Sequence, residues 1–292
     1  MITHFAGRAG DHNDRAMRGS AMVAAELAAR LGSAPVVIGS PEPALGANWD
    51  QELAAARPAL RAMSAHFDDL FRHGAFPVTA LSRCAVALAT LPVVARYRPD
   101  AVVVWFDAHA DLNTPDSTTT GYLGGLAFSG PLGLWNSGLG QGLKPENAIL
   151  CGALDIDPAE QSLIDDGVIT LVEAGPGIAE RLAAAIAGRP VYVHLDCDVL
   201  EPGIVPTDYL VPGGLTLSDL SSAALAIAEA GVIGLEIGEF EAGEAGESAH
   251  GVPIHPGPLL DALQPLLRMA AHSPATPTTI EAARLRPTAE MP

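Results

Sequence analysis

Positive charge is scarce in this chain: 16 Lys and Arg stand against 34 Asp and Glu, for a formal net charge of −18. Binding a phosphate backbone needs clustered cations that displace its counterions, so nucleic acid is not expected as a partner. Cysteine is sparse as well. Cys84, Cys151 and Cys197 are odd in number and show no CxxC-type spacing, which points to free thiols rather than a disulfide framework. No apolar run approaches the ~18 residues of a membrane span. The opening stretch MITHFAGRAGDHNDRAM has no basic region followed by an apolar core, as a secretory signal would. A cytoplasmic location with no membrane association is therefore the expectation.

Apolar residues, by contrast, make up 49% of the chain and charged ones 17%, a balance that predicts a packed globular protein rather than a disordered one. The length, 292 residues, suits one large α/β domain or two ordinary ones. The acidic surplus fits a site that gathers metal cations or a cationic substrate, and it equally serves as a solubilising surface.

Short apolar runs at 2–5, 35–39, 76–81, 102–106, 148–152, 168–172, 191–195 and 233–237 read as strands. Between them lie helical stretches at 16–31, 52–71 (with a re-phasing at Pro58), 85–96, 159–166, 178–187 and 218–230, and a last one falls in 256–271. Such alternation predicts a mostly parallel sheet with helices on both faces. No composition break divides the chain, so a single domain over 1–271 is expected. The Pro/Thr-rich stretch 272–292 reads as a loosely held tail.

In open α/β sheets the sites form at the carboxyl ends of strands, and the polar clusters fall there. The run 102–106 ends in Asp107-Ala-His109-Ala-Asp111, whose alternate positions line one side of an extended segment. Alone, this D-x-H-x-D is as readily a polar loop capping a strand. A second acidic pair, Asp196-Cys197-Asp198, follows the run 191–195, and five potential ligands from two strands outline a metal centre. Cys197, between two ligand candidates, is expected to turn into the core, and His194 to pack behind the site. His12 and Asp14 read as solvated loop residues, and His250 and His255 receive no role.

DAHADLNTP at 107–115, GALDIDPAE at 152–160, HLDCDVLEP at 194–202 and GLEIGEF at 234–240 resemble the successive signatures of the ureohydrolases, the arginase and agmatinase family. The resemblance implies a three-layer αβα fold with a roughly eight-stranded parallel sheet. It also implies hydrolysis of a small-molecule guanidine with two divalent metal ions, usually Mn²⁺, and a homo-oligomer. By the same resemblance Asp107, Asp111, Asp196 and Asp198 hold the metals and His109 binds one of them. Asp111 also passes a proton to the departing amine. Asn113 and Thr120 fall at an α-carboxylate subsite, Asp157 at an α-amino subsite and Glu239 where a carboxylate pairs with the guanidinium; the local alternatives are turn, cap and strand-end roles.

Two departures stand out. Leu81-Ser82-Arg83-Cys84 replaces the family's Gly-Gly-Asp-His, which puts Cys84 at a metal-binding histidine position, as a thiolate ligand or as an inert buried thiol. Gly124 falls where arginases carry a histidine that shuttles protons. Both departures, with the segments at 83–92, 120–125 and 133–135, resemble the branch that acts on Nω-hydroxy-L-arginine. The function implied is release of ornithine with hydroxyurea or urea. Agmatine, a guanidino acid, or a catalytically silent binding relative remain the alternatives.

Overall fold

The computed structural model describes residues 1–243 and 255–272. Its frame is one sheet of eight strands: β1 (Ile2–Phe5), β2 (Val36–Ile38), β3 (Val78–Ala80), β4 (Val102–Phe106), β5 (Ala148–Cys151), β6 (Thr170–Val172), β7 (Val191–Asp196) and β8 (Val232–Gly238). The spatial order is β2-β1-β3-β8-β7-β4-β5-β6, with every pairing parallel. Parallel neighbours need long crossovers, and six of the seven connections carry a helix: α1 (Arg15–Leu31), α2 (Trp49–Arg72), α3 (Ala87–Tyr97), α4 (Pro158–Asp165), α5 (Ile178–Ile186) and α6 (Leu217–Ala230), while the stretch 107–147 between β4 and β5 has only short 3₁₀ turns. The three-layer αβα architecture expected from the sequence is the one observed.

Alternation along the central strands feeds two separate cores. Val102, Val104 and Phe106 enter one with Val191, Val193 and Leu195. Val103 and Trp105 enter the other with Tyr192. Because both faces of β4 and β7 are covered, the two strands read as unbroken apolar runs.

Helix α2 continues through Pro58 for 24 residues instead of re-phasing there. An interior proline costs the helix about 3 kcal/mol, and the buried stripe Leu53, Ala56, Leu60, Met63, Phe67 and Leu70 offsets that cost. The last expected helix is instead two, α7 (Gly257–Ala262) and α8 (Gln264–His272). Pro265 is the physical reason: it has no N–H for the carbonyl of Asp261, so α7 ends with its cap at Leu263 and the chain restarts with the proline in the first turn of α8, where its missing N–H costs nothing. His250 and nearly all of the expected tail lie outside the described residues.

Helix α1 lies close against the chain leaving β8. A Cβ on Gly19 would fall 1.7 Å from the carbonyl oxygen of Phe240. Gly19→Ala must push α1 away from this segment, and a loss of roughly 3 kcal/mol in folding stability is expected, read as a lowered thermal midpoint. A melting temperature within a degree of the parent's would contradict this account of the packing.

Candidate active site

Five neighbouring strands, β3, β8, β7, β4 and β5, end along one stretch of the sheet's carboxyl edge. Their following loops surround a cavity of about 220 Å³ lined by Cys84, His109, Asp111, Asn113, Thr118, Thr120, Tyr122, Asp155, Asp157, Glu160, Asp196, Asp198, Tyr209 and Glu239. Except for Asp107, every residue picked out as a candidate ligand or substrate contact lines it. Asp107 is fully buried behind the wall.

Pairing of β4 with β7 sets Trp105 opposite His194, and their rings stack with centroids 3.5 Å apart. The Trp105 indole donates to Asp107 Oδ2 at 2.9 Å, and the His109 N–H donates to Asp107 Oδ1 at 2.7 Å. Across the sheet, Asp198 accepts from the Ala108 N–H at 3.1 Å and lies 3.0 Å from His109 Nδ1. Asp196 accepts from the Asp198 N–H at 2.8 Å, within a short 3₁₀ turn at Cys197–Val199. That turn sends the Cys197 side chain into the core on the far face.

The extended reading of 107–111 fails at its last residue. Asp111 adopts a left-handed backbone (φ 53°), and so does Glu239 (φ 62°). For a residue with a Cβ each such conformation costs roughly 1–3 kcal/mol, which the surrounding contacts must sustain. The turn brings Asp111 beside Cys84 and Asp107 rather than in line with His109.

Ligand atoms of three sets lie mutually within 4.8 Å: Cys84 with Asp107 and Asp111; Cys84 with Asp196 and Glu239; and Asp107 with His109 and Asp198. Hard carboxylates with one imidazole and one thiol form a donor set that suits divalent cations. Electrostatics point the same way. Burial, with the neighbouring carboxylates adding to it, pushes Asp111 and Asp196 well above the usual carboxylate range, and Asp198 to about 6. At His109 burial opposes the charged ring, but Asp107 and Asp198 outweigh it and hold its pKa far above the ordinary value. Acids crowded in this way suit divalent cations, which would favour their charged forms.

Cys84 is fully enclosed. Its thiol donates to Asp196 Oδ2 at 2.9 Å and lies 3.1 Å from His194 Nε2, whose Nδ1 is 2.7 Å from Glu236. His194 thus does more than pack behind the site: it couples Cys84 to a buried carboxylate. Burial, then the Asp196 charge, raises the thiol's pKa well above its ordinary value.

On the opposite wall Asn113 Nδ2 donates to Asp157 Oδ2 at 2.8 Å. Glu160 accepts the backbone N–H groups of Leu112 and Asn113 at 2.8 and 3.1 Å, tying the loop after β4 to the start of α4. Asp157 is the residue preceding α4, so its capping position and its place in the cavity wall coexist. Thr120 is not a helix cap. It sits on the exposed rim, where its hydroxyl accepts the Tyr122 N–H at 3.2 Å.

A Cβ at Gly124 would fall 2.4 Å from the Tyr122 ring, so the tyrosine takes the space that a histidine there would need. The buried Tyr122 hydroxyl has no hydrogen-bond partner among the described residues.

Sequence reading passed over Tyr122, Tyr209, Asp11 and Glu241. Tyr209 comes from the long loop after the second acidic pair and sets its ring edge-on to His109, 5.3 Å between centroids. No local pattern marks it. Asp11, beside the noted His12, could have been found only by knowing which loop residue turns inward. It is fully buried, whereas His12 is exposed.

Comparison with known proteins places this edge. The chain matches the arginase family over residues 19–245. It is 39% identical over 269 residues, 92% of this chain and 97% of the relative, to the N(omega)-hydroxy-L-arginine amidinohydrolase of Streptomyces lavendulae. With the arginase of Bacillus caldovelox it shares 29% identity over 63% of this chain and 67% of that one. Entamoeba histolytica arginase, solved in complex with L-ornithine, has the same fold with a TM-score of 0.75 at 20% identity, covering 91% of this chain and 97% of that one. The proclavaminate amidino hydrolase of Streptomyces clavuligerus superposes with a TM-score of 0.68 at 19% identity, covering 92% and 91%. Matched in sequence through all five strands that form the acidic edge, the chain belongs to the arginase family and is a hydrolase of C–N bonds in linear amidines.

Proposed function

We propose that this protein uses two metal ions to cleave the guanidino group of an arginine-like amino acid, Nω-hydroxy-L-arginine or L-arginine, giving ornithine with hydroxyurea or urea. The observation that carries the reading is the convergence of Cys84, Asp107, His109, Asp111, Asp196 and Asp198 around one buried corner, with Asn113, Asp157 and Glu239 on the same cavity. The amidinohydrolase that is 39% identical supports the substrate class.

In this reading Mn²⁺ is the ion. The four aspartates would hold the pair, His109 would bind one ion, and Cys84 stands at the other end of the cluster. When bound, such cations supply the Lewis acidity that makes water nucleophilic near neutral pH. The chain supplies the rest. Glu239, at the cavity wall, receives the amidine and aims its carbon at the acidic cluster. Asn113, Thr120 and Asp157 take the α-carboxylate and α-amino ends. Asp111 takes the proton that the attacking water gives up and passes it to the departing amine. Glu160 and Trp105 act by position: one fixes the Asn113 loop and the other orients Asp107.

A single domain over 1–271, a cytoplasmic location and a homo-oligomeric assembly complete the proposal. No described helix is long and apolar enough to cross a membrane. The direct test is turnover of both amino acids by manganese-loaded protein, with ornithine, urea and hydroxyurea measured separately. Ornithine release is expected from both, faster from hydroxyarginine. Absence of ornithine from either substrate, at two bound ions per chain, would refute it.

A further inference from the structure

Arg83 is fully buried beside the cavity, and its guanidinium is already bonded to the carboxylate that a substrate guanidine would meet. Nη1 donates to Glu239 Oε2 at 2.5 Å, Nε to Asp11 Oδ1 at 3.1 Å and Nη2 to Glu241 Oε1 at 3.1 Å. The other oxygen of Glu239 accepts the Cys84 N–H at 2.9 Å. Both oxygens of Glu239 are thus engaged from within the protein. The surrounding acids are not spare either. Arg15 bonds Glu241 at 2.7 Å and Asp208 at 2.6 Å, and Ala9 donates its N–H to Asp11 at 2.7 Å.

An arginine side chain keeps its charge at any working pH. A cationic substrate reaching Glu239 from the cavity would therefore share with Arg83 a carboxylate whose charge is already partly spent, and would gain less from the ion pair. A guanidine carrying an electron-withdrawing oxygen on its terminal nitrogen is less basic and can bind uncharged, so it loses nothing by that sharing. Glu239 still has lone pairs free to accept N–H groups from such a neutral ligand.

We propose that Arg83 determines substrate specificity: by holding Glu239 from behind, it selects oxygen-substituted, weakly basic guanidines over permanently cationic ones. This deepens the amidinohydrolase reading and rests on it. Arg83 is a positioning residue, since it acts through Glu239 and not on the reacting carbon.

The test compares manganese-loaded parent, Arg83→Lys and Arg83→Gln, measuring kcat and KM for L-arginine and Nω-hydroxy-L-arginine at one pH. In the parent, hydroxyarginine is preferred. Arg83→Lys keeps the charge and the preference. Arg83→Gln shifts the ratio of kcat/KM toward L-arginine by about tenfold or more, mainly through a lower KM for L-arginine. An unchanged ratio in folded Arg83→Gln overturns the proposal. Because that variant strands three carboxylates, a series on the parent enzyme stands beside it: calorimetric binding of L-arginine, L-canavanine and Nω-hydroxy-L-arginine. Affinity that rises as side-chain basicity falls supports the role of Arg83, and tightest binding of L-arginine overturns it. If the parent binds the series in that order but hydrolyses none of it, the hydrolase reading fails while the selectivity stands. Turnover with no preference fails the selectivity alone.

Discussion

Asp198→Asn is expected to lower kcat/KM by roughly three orders of magnitude or more and to leave fewer than two ions bound per chain. The substitution keeps the side chain's shape, so the fold should persist. It removes the charge that faces His109 Nδ1 at 3.0 Å and puts an N–H₂ group among acceptors and donors already placed for a carboxylate. Asp198 also belongs to the set with Asp107 and His109, so its loss dismantles that corner. Metal analysis after gel filtration, with turnover on the same sample, reads both effects. Two bound ions together with near-normal turnover would mean that Asp198 is not a ligand.

The second large effect concerns stability, and it reverses with metal. Burial, then the Asp107 charge, raises Asp198 from 3.8 to about 6. At Glu239 burial outweighs Arg83 and the Cys84 N–H and raises the carboxyl from 4.5 to about 7. Folded metal-free protein therefore holds these protons more tightly than the unfolded chain does. The stability they contribute is fully present below the ordinary carboxylate values and is lost as pH rises through 6 and 7, by roughly 3 kcal/mol for each group. His109, raised far above its ordinary value, adds to the loss above pH 6.5. Bound cations need these groups deprotonated, so metal binding strengthens over the same interval. Thermal melts with and without Mn²⁺ at pH 5 and pH 8 should show a much larger stabilisation by the ion at pH 8. Equal shifts at the two pH values would count against a carboxylate cation site.

Much of this protein is legible as sequence because its signals are local. Strands β1 and β4 fall where their β-branched runs begin and end. The acidic motifs begin at the ends of β4 and β7, Asp107 just after the one and Asp196 as the last residue of the other, and in a parallel sheet strand ends share an edge. The exceptions have nameable causes. Asp111 left the extended path because its backbone turns left-handed, with its carbonyl accepting the Phe128 and Ser129 N–H groups from farther along the same connection. The final helix divided because Pro265 acts on the turn before it.

Sequence by itself determined the chain of strands and helices and the acidic residues at their ends, for which periodicity suffices; that histidine is missing at positions 84 and 124 was implied by the resemblance to the arginases. Only the tertiary structure decided what stands in place of the missing groups: the Tyr122 ring over Gly124, His194 and Asp196 against the Cys84 thiol, and Arg83 locked to Glu239 across 156 residues of chain. Such pairings have no signature along the chain. They follow from strand order, which sets β3 beside β8, and from the cost of burying a charge, which leaves Arg83 and its carboxylates stable only in one another's company.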